Sequence, residues 1–117
     1  MQSGYLEPLV RRAEERRLAA RERERLAREA LPKLVRLLVD RYGARRVTLV
    51  GSLAEGRFDH RSDIDLLVEG LTFEQALDAW GEAAELAGLP VDILRAESVS
   101  QEWRVYHDRY GQILLVA

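Results

Sequence analysis

Apolar positions sort this chain into a thinly apolar N-terminal stretch followed by a body in which helical and strand periods alternate. Across residues 5–30, Leu6, Val10, Ala13 and Ala20 trace a narrow stripe that Arg17 and Glu24 interrupt. Charges elsewhere in that stretch sit at supporting spacings, as in Glu24–Arg28. The pattern predicts a charged helix: a solvated helical arm on the simplest reading, a partner-binding or dimer helix on the second. Pro32 either starts a new helix in its first turn or kinks the first one. Leu31, Leu34, Val35, Leu38 and Tyr42 then share a face, and Gly43 is a natural helix stop.

Residues 46–50 (Arg-Val-Thr-Leu-Val) read as a strand, 51–62 as a Gly- and charge-rich loop with room for one helical turn, and 63–69 as a second strand. Thr72 with Gln75 forms a capping box ahead of a helical stripe of Phe73, Ala76, Leu77, Trp80, Ala84 and Ala87, stopped by Gly88. A strand follows at 91–94. Ser98 with Gln101 suggests another cap, for a helix whose face carries Val99, Trp103, Tyr106 and Tyr110. Residues 112–116 close the chain as a strand. The order α-α-β-β-α-β-α-β predicts an α/β (α+β) domain: one mixed or mostly antiparallel sheet of about four strands flanked by helices. We divide the chain into a charged helix at 1–30 and the domain proper at 31–117.

Composition narrows the class. A chain that is 47% hydrophobic and 32% charged is globular rather than disordered. The absence of cysteine excludes disulfides and thiolate metal sites. No apolar run approaches the ~18 residues of a membrane span, and the N-terminus lacks the apolar core of a signal peptide, so a cytoplasmic location is expected. The net charge of −2 hides an asymmetry. Residues 11–29 hold eight Arg and five Glu, a local +3, which leaves −5 for the remainder. Direct nucleic-acid binding by the helix is disfavoured, because its interleaved glutamates repel phosphate. The acidic remainder suits a site that recruits divalent cations.

The chemistry concentrates in Gly51-Ser52 and in Asp63, Asp65 and Asp92. Side chains alternate along a strand, so Asp63 and Asp65 share one face while Ile64, Leu66 and Val68 take the other. An aspartate just ahead of Leu66-Leu67-Val68 is costly unless something balances its charge. Asp92, between Val91 and Ile93, repeats the anomaly, and it joins the pair if its strand lies alongside. Oxygen-only ligands of this kind suit Mg²⁺ or Mn²⁺. Gly51-Ser52 ends a strand, where a tight turn lets amides and a hydroxyl approach a phosphate. Taken together, these residues are equipment for in-line displacement at a nucleotide α-phosphate. Asp63 and Asp65 would bridge metal ions. Asp92 would complete the second ion's site and favour deprotonation of the acceptor, as a metal ligand or as a general base.

The run Gly51-Ser52-x-Ala54-x-Gly56, then Ser62-Asp63-x-Asp65-Leu66, resembles the signature of the minimal nucleotidyltransferases within the DNA polymerase β-like superfamily, with Asp92 as the later strand carboxylate. The resemblance implies the nucleotidyltransferase fold from about residue 31 onward, with Gly51 and Ser52 as nucleotide-binding residues. It further implies a partner, a small helical HEPN-domain protein. In such toxin–antitoxin pairs the nucleotidyltransferase is the antitoxin and transfers AMP from ATP to a tyrosine of the toxin. The family often carries Arg or Lys where this chain has Glu55, and Arg57 is the candidate replacement for that charge. The chain has no segment for an acceptor-holding domain, so the acceptor is expected on another subunit.

His60 and His107 are isolated and read as solvated or helix-face residues. Trp80, Trp103, Tyr106 and Tyr110 read as core rather than as a base-stacking platform. Two other functions compete with the enzyme reading: an antitoxin that neutralises its toxin by masking alone, and a small-molecule nucleotidyltransferase of the aminoglycoside type. Homo-oligomerisation through the helix 5–30 or the aromatic helix 98–110 stays open.

Overall fold

In the computed structural model, residues 3–116 are described; positions 1, 2 and 117 of the division above fall outside them. Helix α1 runs Ser3–Arg36 and ends in one wider π-type turn, Leu37–Arg41. Then follow β1 (Arg46–Val50), the single helical turn α2 (Gly51–Ala54), β2 (Ile64–Glu69), α3 (Phe73–Ala87), β3 (Val91–Arg95), α4 (Gln101–Tyr110) and β4 (Gln112–Val116). The sheet order is β3-β2-β1-β4. Strand β1 pairs antiparallel with β2 and β4, while β2 and β3 are parallel, which makes the sheet mixed. The expected α/β architecture with four strands is therefore present.

The two N-terminal helices of the sequence reading are one. Pro32 lies within α1 on its solvent side, where the carbonyl that loses its N–H partner can be hydrated. The boundary at 30/31 thus falls inside a continuous helix, and Ala27 and Ala30 already belong to the core. The first half of α1 is different. Leu6, Leu9, Val10 and Leu18 are exposed, and the arm stretches the molecule to 61 Å.

The main core lies on one face of the sheet, where Ala27, Leu31, Leu34 and Leu38 meet Val47, Leu49, Ile64, Leu66 and Val68. Helix α3 contributes Ala76, Ala79 and Ala83 to it. This corrects the predicted stripe: Phe73, Leu77 and Trp80 face outward, because the small alanines let α3 approach α1 and the sheet closely. The capping box at Thr72 and Gln75 forms, and Gly88 ends the helix in the left-handed conformation. On the opposite face of the sheet a smaller cluster of Val50, Leu67 and Ala96 packs with Leu94, Val99 and Trp103. Only Trp103 of the α4 aromatics joins it; Tyr106 and Tyr110 are half exposed, contrary to the core reading. The cap of α4 also moves. Ser100 accepts from the Trp103 amide, while Ser98 accepts from the Arg95 guanidinium.

Ala79→Leu is expected to overpack the α1–α3 contact and cost about 1–3 kcal/mol. Phe73→Ala should stay within about 0.5 kcal/mol of wild type, as an outward-facing position does. Urea denaturation of both variants measures the difference.

Candidate active site

The smaller-core face of the sheet carries the acidic residues. Strand register sets Val50, Asp65 and Asp92 side by side across β1, β2 and β3. Parallel pairing of β2 with β3 is what brings Asp92 to Asp65: residues in register on adjacent strands point to the same face. Ile64, Leu66 and Val68 are anchored in the main core, and this alternation turns Asp65 to the other side. Asp65 is half-buried and Asp92 is exposed, so the pair opens to solvent.

Two carboxylates placed this way repel. Burial, then the charge of Asp92 and a hydrogen bond with it, then the charge of Asp63, push the Asp65 carboxyl up to about 6. Asp63 itself precedes β2 and is half-buried. Its carboxylate lies 3.5 Å from the guanidinium of Arg23, which reaches across from α1. Arg23 also donates to the Ser62 carbonyl at 2.7 Å. The structure thus joins Asp65 to Asp92 and leaves Asp63 beside them, engaged by an arginine. Among the described residues, no three acidic or histidine side chains are grouped closely enough to cage an ion as they stand.

The turn after β1 closes the site from the other side. Gly51 has φ of 76° and sits so close to Asp65 that a Cβ there would overlap the carboxylate oxygen. Both the left-handed backbone and the close approach therefore require glycine. Ser52 is half-buried, and its carbonyl accepts from the Arg57 amide. Leu53 fills the main core and holds the turn, and its carbonyl accepts from Arg28 of α1 at 3.1 Å. All-oxygen donors beside a bare glycine turn fit a hard divalent cation next to a phosphate.

Arg57 does not stand free as the replacement cation. Its guanidinium lies 3.2 Å from Glu55, which also accepts from the Tyr106 hydroxyl at 3.1 Å. His60 is half-buried in the loop. His107 stacks on Trp103 at 3.8 Å, and burial pushes its pKa down. Residue-by-residue reading missed Arg23, Arg28 and Tyr106. The two arginines look like their neighbours in an Arg/Glu helix, and nothing local marks them as facing the site.

A sheet that presents two strand carboxylates beside a glycine turn is the arrangement of a nucleotide-transferring enzyme. The nucleotidyltransferase domain family matches residues 31–111, and the chain belongs to it. Within that family it falls among the minimal members. It is 30% identical to a solved candidate minimal nucleotidyltransferase, covering 75% of this chain and 91% of that one, with a TM-score of 0.62. A candidate protein adenylyltransferase of Methanocaldococcus jannaschii is 31% identical over 77 residues, which is 62% of this chain and 77% of the relative. The fold also matches a chain of the complex between the tri-AMPylated Shewanella oneidensis HEPN toxin and its MNT antitoxin. There the identity is 20%, the TM-score 0.63, and the coverage 78% of this chain and 73% of that one. The protein is a nucleotidyltransferase with the corresponding fold. Among the described residues, no helix is long and apolar enough to cross a membrane.

The Asp65 carboxyl yields a pH test. In the metal-free folded protein it holds its proton up to about 6, against an ordinary 3.8. Between those values the folded protein carries a proton that the unfolded chain has released. The stability it contributes is therefore full below about pH 4 and is lost as pH rises through about 6. Melting temperatures measured in chelator across that window should show this decline in wild type and a flatter profile in Asp65→Asn.

Proposed function

We propose that this nucleotidyltransferase transfers AMP from ATP to a hydroxyl group of a partner protein, as the antitoxin of a HEPN toxin–antitoxin pair. The observation that carries the reading is the in-register pair Asp65–Asp92 beside the Gly51 turn. The M. jannaschii relative and the AMPylated HEPN complex support the choice of AMP and of a protein acceptor.

In this reading Asp63, Asp65 and Asp92 hold Mg²⁺ or Mn²⁺. A divalent ion held by them would supply positive charge to neutralise the triphosphate and the departing pyrophosphate. The Gly51-Ser52 turn offers backbone amides and the Ser52 hydroxyl to the phosphates, and the missing Cβ lets the Asp65 carboxylate lie against the same turn. Asp92, the more exposed of the pair, faces the incoming acceptor and takes its hydroxyl proton. The acceptor oxygen then bonds to the α-phosphorus as the bond to the pyrophosphate oxygen breaks. Asp65 must give up its proton before it can serve as a ligand. The acceptor is supplied by the partner, as the AMPylated toxin in the Shewanella oneidensis complex suggests.

A second reading, an antitoxin that masks its toxin without chemistry, draws on the balanced charges of Glu55 with Arg57 and Asp63 with Arg23. An aminoglycoside-type activity has no such observation behind it.

Incubation with α-labelled ATP, Mg²⁺ and the product of the adjacent gene should label that product. Asp65→Asn should lower the labelling rate by about a hundredfold or more, the scale expected when a group that stabilises transition-state charge is lost. Labelling at the wild-type rate in Asp65→Asn would refute the mechanism. Full neutralisation of the toxin by an Asp63→Asn/Asp65→Asn double variant would favour masking.

A further inference from the structure

We propose that Arg23 is a built-in counter-ion of the site, holding Asp63 in the metal-free protein and yielding it to a divalent cation, whereupon its guanidinium turns to the phosphates of the bound nucleotide. The inference rests on the reading that Asp63 becomes a metal ligand beside a triphosphate.

The position of Arg23 is fixed by the core. Ala27, one turn further along α1, is fully buried, followed by Ala30 and Leu34. The helix therefore cannot roll, and Arg23 and Arg28 are aimed at the two segments that bracket the site. Arg28 holds the Leu53 carbonyl of the glycine turn, and Arg23 holds the Ser62 carbonyl beside Asp63. Arg25, between them, is spent on Glu22 and Glu29 of its own helix and is more than half exposed. The Arg23 side chain is only 23% exposed.

Its two contacts differ in kind. The bond from Nε to the Ser62 carbonyl, at 2.7 Å, is a well-formed hydrogen bond between groups that bear no opposing charge. The approach of Nη2 to Asp63 Oδ1, at 3.5 Å, is a looser ionic contact. The first keeps the guanidinium at the site while the second is exchanged. A cation that binds Asp63 takes over the neutralising role and leaves one positive charge uncommitted where a polyanion must sit. Arg57, in the same loop, is already balanced by Glu55.

The test is Mn²⁺ binding followed by electron paramagnetic resonance, first with Mn²⁺ alone and then with Mn²⁺ and the ATP analogue AMP-PNP. Removing a part-exposed competing ion pair in Arg23→Gln should tighten Mn²⁺ alone about three- to fivefold. The same variant should bind Mn²⁺–AMP-PNP about three- to tenfold more weakly, having lost a charge-assisted contact to phosphate. A guanidinium that merely fastens the loop would weaken both together, and that result overturns the proposal, as does no change in either. In an Asp63→Asn background the Gln substitution should leave Mn²⁺ affinity unaltered, and a persistent effect there overturns it too. Arg23→Lys, which keeps the charge and guards against a folding defect, should bind Mn²⁺ alone within about twofold of wild type; tightening like that of the Gln variant counts against the counter-ion. If Asp63→Asn itself binds Mn²⁺ as wild type does, Asp63 is no ligand, and the underlying reading falls with the proposal. Tightening by Arg23→Gln is thus separable from a failure at Asp63.

Discussion

Electrostatic repulsion between Asp65 and Asp92 is the constraint around which this fold is arranged. Parallel pairing of β2 with β3 forces the two carboxylates into register, and burial on the sheet removes some of the water that would screen them. A folded protein tolerates such a pair only by binding a proton, by gaining a counter-ion, or by holding a metal. The chain uses different devices for neighbouring acids. Asp65 holds its proton to a higher pH than an ordinary carboxyl, and Asp63 borrows the charge of Arg23. A divalent cation bound among these acids would take over both roles, so the gathering of like charges points toward function rather than stability.

The surrounding structure serves that arrangement. Residues of β2 alternate between the main core and the acidic face, so the burial of Ile64 and Leu66 is also what aims Asp65. Gly51 gives up a side chain so that the Asp65 carboxylate can lie against the turn. The helix α1 packs through alanines and leucines, and from that fixed seat its arginines reach the two loops of the site. The N-terminal helix is thus two things along its length: an exposed arm up to about residue 19, and beyond that a wall of the site.

Much of this was legible in the residues because the exceptions were chemical. An aspartate inside Ile64–Val68 and another inside Val91–Leu94 break the burial rule in short apolar strands, and the register sets those two side by side. The capping box at Thr72 and the stop at Gly88 were legible for a similar reason, being local chemistry with a fixed spacing. The buried face of α3 was not. Reading by size favours Phe73, Leu77 and Trp80, whereas close helix packing selects the alanines. The continuity of α1 through Pro32 was hidden because the proline's cost depends on which side faces solvent. Arg23 was hidden because its partner lies 39 residues away, and seven similar arginines surround it between residues 11 and 29.

The central claim is that the paired strand carboxylates form a cation site next to a nucleotide. Anomalous scattering from crystals grown with Mn²⁺ and a non-hydrolysable ATP analogue addresses it most directly. The account predicts a Mn²⁺ peak ligated by Asp65, with Asp63 and Asp92 oxygens completing the protein ligands and the phosphates lying over Gly51-Ser52. A nucleotide bound elsewhere, or Mn²⁺ held away from Asp65, would contradict it.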